Sequence, residues 1–464
     1  MDEKEISLGQ FAPELYKDKL CELFESRAYR DIRALTESIP APDMAELFDY
    51  FDEREQLILF RLLPKENASE CFVLMDTDLR RRLIDSFSDS EFSSIISELY
   101  IDDTVDLIEE MPANVVKRIL RASTPEDRAS INALLNYPKD SAGSLMTTEY
   151  VRLRKDMTVG DALTHIRRVA LDKETIYTCY VTDSDRRLIG IVTAKSLMIS
   201  DTDTPISDLM NENFVSVRTK DDREDVAACF ERYGFLAVPV VDGEGRLVGI
   251  ITFDDALTVI KEESEEDFAK MAAITPAESE YLKTSVWTLF RSRIPWLLIL
   301  MLSATVSSTI LTGFEAALPA VLVLFVPMIM GTGGNSGGQS SVTVIRGISR
   351  GEIRFPDIFR VFSKELLVGL LCALTLGAAT FIKVELVERL LLGNSEVTLI
   401  VALTVSLALA LTIIIAKMIG AILPLLAEKI GLDPAVMASP LITTLVDAVS
   451  LIVYFAVSKA LIGA

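Results

Sequence analysis

Residues 431–455 read GLDPAVMASPLITTLVDAVSLIVYF, and the rest of the chain is best read outward from them. From 437 to 461 the sequence is almost unbroken apolar residues. At about 1.5 Å per residue, a helix of that length crosses a hydrocarbon layer of roughly 30 Å. One carboxylate, Asp447, sits in its middle. An acid there costs about 2.5 to 3.5 kcal/mol on insertion scales, so it is expected to face protein or water rather than lipid. Ser439, Thr443 and Asp447 recur at every fourth position, which puts two hydroxyls and a carboxylate on one stripe of the helix. The residues leave two readings open. The stripe lines a path for a cation, or Asp447 is a structural acid paired with an intramembrane base, for which Lys417 is the main candidate.

Charge divides the chain into two parts. Of 464 residues, the first 283 hold 58 acidic and 34 basic side chains, a balance of -24, whereas the remainder hold 10 and 12, a balance of +2. So large an acidic surplus argues against nucleic acid as a partner, because phosphates need basic contacts. It repels itself unless cations bind, and multivalent metal is its natural partner. Simple solubility accounts for many of these acids as well. Cys21, Cys71, Cys179, Cys229 and Cys372 are scattered singly, with no CxxC, as suits a reducing compartment. The first residues, MDEKEISLGQFAPELYKDKL, lack the basic and apolar regions of a signal peptide, so the amino-terminal part is expected to stay in the cytoplasm.

Residues 1–137 carry apolar positions at three- and four-residue steps, broken by Pro40, Pro42, Pro64, Pro112 and Pro125. That pattern predicts an all-α superhelix of short helical hairpins. Within IDDTVDLIEEMP, Asp102 and Asp106 share a helix face, where either solvent or a metal relieves their repulsion. Residues 138–258 contain a degenerate repeat: SLMTTEYVRLRKDMTVGDAL is matched 64 residues on by DLMNENFVSVRTKDDREDVA, and RRLIGIVTAKSL by GRLVGIITFDDAL. Each copy predicts an extended entry, a helix, two apolar strands (179–182 and 189–192; 237–241 and 248–251) and a second helix. An acid-dense helix follows over 254–273 and leads into the stretch 259–283, read as a connecting helix, with Glu262, Glu263, Glu265, Glu266 and Asp267 crowding one or two turns. Such a run is either a solvated face or a surface that wants a counter-charge.

Residues 284–464 yield five candidate spans, at about 294–312, 316–345, 362–384, 397–427 and 436–461. Arg291 and Arg293 flank the first, and Arg346, Arg350, Arg354, Arg360 and Lys364 lie between the second and third. By the positive-inside rule these flanks are cytoplasmic, which puts the amino end inside and the carboxyl end outside. The second span contains VPMIMGTGGNSGGQSS. Its glycines predict unwound backbone, tolerated in a membrane only where it lines a cavity or is buried, with the amides of Asn335 and Gln339 beside freed carbonyls. The alternative is close GxxxG helix packing through the same glycines. The Lys-Ser/Thr ending of a phosphate loop is missing.

The repeat resembles a tandem pair of CBS modules, a family that often binds adenine nucleotides between its copies through an acid shortly after a strand-end Thr. That resemblance implies a nucleotide such as ATP at Thr252 and Asp255, while the first copy has Thr193 with Ser196 in the acid's position. The whole order of parts, with GTGGNSGGQSS and DPAVMASPLITTLVD in the spans, resembles the MgtE family of magnesium channels or transporters. The resemblance implies a homodimer in the cell membrane whose fifth helices line a pore for hydrated Mg2+. Asp447 would be the ion-binding acid, with Thr443, Ser439 and Asn335 along the path. It also implies a cytoplasmic Mg2+ sensor that closes the pore through a connecting "plug" helix. Its matching positions are Asp102, Asp106, Glu224, Asp255, Glu263, Glu266, Asp267 and Asp433. Hydrated Mg2+ suits a ring of carboxylate, hydroxyl and carbonyl oxygens without the analogy.

Two rivals stand beside a Mg2+ channel. One is a carrier of another divalent metal such as Mn2+ or Co2+, which the lack of His or Cys on the acid stripe disfavours. The other is a membrane-anchored CBS regulator. An enzyme is not expected, since no nucleophile and base pair is evident and the single histidine, His165, has no placed role.

Overall fold

The computed structural model describes residues 13–276, 281, 284–315, 319–437 and 439–463. It forms two compact units, Met1–Val259 and Ile260–Ala464.

The first unit begins with short helices from Pro13–Glu25 to Pro125–Leu134. Their ends are written locally. Asp52, Ser88 and Thr124 close capping boxes, Asp76 caps Thr77–Ser86, and Pro40, Pro64 and Pro112 occupy N-cap positions where a missing N–H costs nothing. The prolines therefore start helices, and the hairpins bury a shared seam of Phe48, Phe60, Phe72 and Phe87, with Phe60 and Phe87 ring centroids 5.1 Å apart.

The repeat folds as two matching three-stranded sheets. β1 (Tyr150–Arg154) runs parallel to β2 (Thr175–Thr182), which pairs antiparallel with β3 (Leu188–Thr193). β4 (Val217–Arg218), β5 (Ala237–Val241) and β6 (Leu247–Thr252) repeat that order. Each entry segment crosses to the other copy: Thr147 exchanges backbone hydrogen bonds with Ile250, and Asn211 with Ile191. Tyr150 packs edge-on against Tyr180 between the copies, beside Leu247 and Ile250. The helix Phe253–Met271 follows β6 directly.

In the second unit, five helical segments are long and apolar enough to cross a membrane: Val286–Gly313, Ala320–Ser349, Phe355–Leu391, Leu399–Lys429 and Pro434–Ile462. The second, fourth and fifth pack together, with the third against the fourth. Leucines such as Leu367, Leu371, Leu374 and Leu403 stay exposed, as a lipid-facing surface requires. Tyr454 donates to the Leu322 carbonyl at 2.7 Å, so its buried hydroxyl is satisfied.

One expectation is corrected. The glycine-rich segment is not unwound; Val326–Ser349 is a continuous α-helix. Helical backbone satisfies its own polar groups, and the glycines instead permit contact. A Cβ on Gly420 of the fourth span would lie 2.2 Å from the Gly337 carbonyl oxygen, so these helices meet backbone to backbone.

Candidate functional site

The fifth spanning helix, Ser439–Ile462, meets the second at Gly333 and Gly334. A Cβ on Gly334 would lie 2.8 Å from Thr443 Cγ2 and 3.6 Å from Asp447 Oδ1, so the missing side chain makes room for both. Asp447 Oδ1 is buried and accepts no hydrogen bond among the described residues. A carboxylate oxygen left so among apolar helices calls for a donor or a cation. Lys417 does not supply it: its Nζ lies 3.3 Å from Ser340 Oγ, on a different contact. The structural Lys417–Asp447 pair is therefore absent. Asn335 is exposed on the second helix, with Gly331 and Gln339 one turn to either side. Ser439 begins the fifth helix, and its side chain lies outside the described residues.

A second cluster joins the connecting helix to the entrance of the fifth span. Lys270 Nζ lies 2.7 Å from Asp433 Oδ2 and 2.5 Å from Glu266 Oε1. Burial opposes the charge on Lys270, but the hydrogen bonds it donates to both carboxylates outweigh it and hold the ammonium above its usual range. Asp433 also accepts from the Ala435 N–H at 2.8 Å, and Asp267 from Ser349 Oγ at 3.0 Å. Burial raises the Asp267 pKa, and the charges of Asp433 and Glu263 add to the rise. The structure thus brings Glu263, Glu266, Asp267 and Asp433 into one neighbourhood with a lysine at its centre.

The third cluster lies in the soluble unit. Carboxylate oxygens of Asp102, Glu149 and Glu174 come within 4.8 Å of one another, each residue half-buried. Asp102 and Asp103 open the helix Ile101–Glu110, while Glu149 and Glu174 immediately precede β1 and β2. Parallel pairing of Tyr150 with Thr175 sets the two glutamates side by side, and the Glu174 N–H donates to the Glu149 carbonyl. Burial, reinforced by Asp255 and other acids, pushes Glu174 up to about 8 and Asp103 to about 6. Burial with the charges of Asp103 and Asp255 takes Asp106 to about 7, and Asp102 is raised well above its ordinary range. Asp255 is raised to about 6 by burial, although it accepts from Thr252 Oγ1 at 2.6 Å. Arg80 and Lys173 offset only part of this charge, acting on Asp103 and Glu149 respectively. Glu174 Oε2 has no hydrogen-bond partner among the described residues. Carboxylate oxygens crowded in this way, with no soft ligand, match a hard cation that keeps part of its water. Glu224 is exposed in the first turn of Arg223–Tyr233.

Glu149, Glu174 and Lys270 are the functional candidates that sequence reasoning missed. The acids stand alone before their strands, and only strand pairing makes them neighbours.

Comparison with known proteins agrees with this layout. Residues 326–457 match the family model for the MgtE divalent cation transporter, residues 39–140 the MgtE intracellular N domain, and residues 142–201 and 206–262 CBS domains. The chain is 37% identical over 441 residues to the magnesium transporter MgtE of Thermus thermophilus, covering 94% of this chain and 96% of that one. It is 31% identical over 435 residues to the magnesium transporter MgtE of Bacillus subtilis, covering 93% and 94%. About half of the chain is similar to the crystal structure of the cytosolic domain of the Mg2+ channel MgtE in complex with ATP, at 35% identity and a TM-score of 0.51, covering 52% of this chain and 99% of that one. With relatives matched along almost their full length, a CBS pair, and a helical unit in which Asp447 sits at a glycine crossing, the chain belongs to the MgtE family of divalent cation transporters.

Proposed function

We propose that the chain carries Mg2+ across the cell membrane and is closed by Mg2+ on its cytoplasmic side. The observation that carries this reading is Asp447 Oδ1, a buried carboxylate oxygen with no donor among the described residues. Asp447 binds the hydrated ion, Thr443 and Ser439 continue the stripe, and Asn335 adds an amide from the second helix. In a homodimer two such stripes face one another. Two Asp447 carboxylates repel, and a divalent cation between them relieves the repulsion. The exposed row of Gly331, Asn335 and Gln339, unusual on a helix that would otherwise meet lipid, supports a polar path or partner there.

The soluble part acts as the sensor. Residues 1–137 and the CBS pair at 138–258 hold the cluster of Asp102, Asp106, Glu149, Glu174 and Asp255, with Glu224 a separate exposed candidate. The connecting segment, 259–283, carries Glu263, Glu266 and Asp267 to Asp433 at the pore entrance of the 284–464 unit. Mg2+ bound to these acids stabilises a compact closed state, as any ligand that favours one conformation does. The amino end and CBS pair are cytoplasmic and the carboxyl end is outside. The likeness to an ATP-bound cytosolic domain supports an adenine nucleotide at Thr252 and Asp255 as a further regulator.

The test is Mg2+ entry into liposomes containing only this chain, for wild type and Asp447→Ala. Entry that the substitution abolishes and that millimolar Mg2+ on the cytoplasmic face slows supports the reading. If the wild type admits nothing, transport fails and a nucleotide-binding regulator takes its place; Mn2+ or Co2+ entry without Mg2+ entry points to a carrier of those metals.

A further inference from the structure

Lys417 is only 5% exposed and sits well inside the fourth span, Leu399–Lys429. Twelve residues separate it from the helix end at Lys429, about 18 Å along the axis. A lysine at that depth needs compensation. Its stem lies over Gly369 of the third span, where a Cβ would meet Lys417 Cδ at 3.7 Å. Its ammonium donates to Ser340 Oγ at 3.3 Å, and the Ser340 hydroxyl donates to Glu365 Oε2 at 2.7 Å. The single hydroxyl proton is thereby used on the carboxylate and its lone pair on the ammonium, so the hydrogen bonds run in one direction from Lys417 to Glu365. Three spans meet at this relay: Ser340 from the second, Glu365 from the third and Lys417 from the fourth.

The relay lies one turn from the Gly337–Gly420 crossing. Glycines let two helices approach, but smooth contact between backbones resists neither rotation nor sliding. Hydrogen bonds do. The same stretch of the second helix, through Gly333, Gly334 and Gly337, also meets Ser450, Thr443, Asp447 and Val446 of the fifth. Asn335 precedes Ser340 by five residues, about 140° around the axis and about 7.5 Å along it. Any slip at Ser340 therefore moves Asn335 relative to Asp447. Apolar side chains would hold three helices together without the cost of burying charge, and a retained buried pair is best attested as a device that sets register.

We propose that Lys417 and Glu365 are positioning residues for ion selection, a charge-compensated clamp through Ser340 that holds the second spanning helix at the register in which Asn335 faces the Asp447 path. The inference rests on the transport reading for its purpose, but the clamp has a test of its own.

Four forms of the full chain decide it: Lys417→Met, Glu365→Gln, the double variant and Lys417→Arg. In detergent, each neutralising single is expected to lower the thermal midpoint, and the double to recover most of the loss because no charge is left unpaired. Position is read without transport, from the rate at which a water-soluble thiol reagent modifies Asn335→Cys in a chain whose five cysteines are replaced by serine. That rate is expected to change by about tenfold in either single and to return toward the parent in the double and in Lys417→Arg. In liposomes, the ratio of Mg2+ to Ca2+ uptake is expected to fall in the singles and recover in the same two variants. Additive thermal effects overturn the clamp. Coupled midpoints with an unchanged labelling rate overturn the positioning role. A parent chain that admits no Mg2+ overturns the transport reading instead, and leaves the thermal and labelling results to decide the clamp.

Discussion

The ammonium of Lys270 lies 2.7 Å from Asp433 Oδ2, so the connecting helix and the entrance of the fifth span are already bridged by a cation that belongs to the chain. Glu266 completes the bridge on the same ammonium. Where two carboxylates would otherwise repel, lysine supplies the counter-charge.

Lys270→Met is therefore expected to leave Glu266 and Asp433 facing each other without a cation. All three side chains are roughly one-third exposed, so each contact is worth about 0.5–1 kcal/mol after solvent screening. The Mg2+ concentration that half-closes the path should rise by about two- to fivefold. Flux into liposomes, titrated with Mg2+ on the cytoplasmic side, checks it; an unchanged midpoint removes Lys270 from gating.

Asp447→Asn keeps the shape of the side chain and removes its charge. Because Asp447 Oδ1 has no donor among the described residues, the substitution is expected to leave the thermal midpoint in detergent equal or higher while Mg2+ entry falls by about tenfold or more. A large drop in midpoint would mean that the carboxylate holds the fold together.

The acid cluster is expected to make stability depend on pH and on divalent cation together. Asp103, Asp106, Asp255 and Glu174 have folded pKa values of about 6, about 7, about 6 and about 8, all above their ordinary values. A carboxyl raised on folding contributes stability that is fully present below its unfolded pKa and is lost as pH rises through the folded one. Without divalent cation, the thermal midpoint of the soluble unit's unfolding step, followed in the full chain, should fall between about pH 4 and about pH 8. Mg2+ should restore it, most strongly at the alkaline end, by about 2.7 kcal/mol at a hundredfold excess over its dissociation constant. Glu174→Gln is expected to flatten both dependences. A pH-independent midpoint would argue against the cluster as the sensor.

Gly420→Ala is expected to destabilise the membrane unit by about 1–3 kcal/mol, since its Cβ would sit 2.2 Å from a backbone oxygen that cannot yield. Gly331→Ala, with nothing within 4 Å, is the matched control and should leave the detergent midpoint unchanged. Equal midpoints for the two variants would contradict the close crossing.

Much of this architecture is legible in the sequence because it is written in local patterns. Spans follow from apolar runs, the twin sheets from a repeat, and the helical hairpins from capping residues and prolines that act within one turn. The Ser439, Thr443 and Asp447 stripe follows from helical spacing alone. The glycine-rich run was ambiguous for the same reason: glycine weakens an isolated helix, and only the approach of Gly337 to Gly420 reveals that close packing keeps this one intact. Tertiary structure alone decided the rest. Glu149 and Glu174 become neighbours through strand pairing, Lys270 reaches Asp433 through the docking of the connecting helix, and Lys417 turns from Asp447 toward Ser340 and Glu365. A charge finds its partner in space, across elements far apart in the chain, and periodicity carries no record of which distant element will lie opposite.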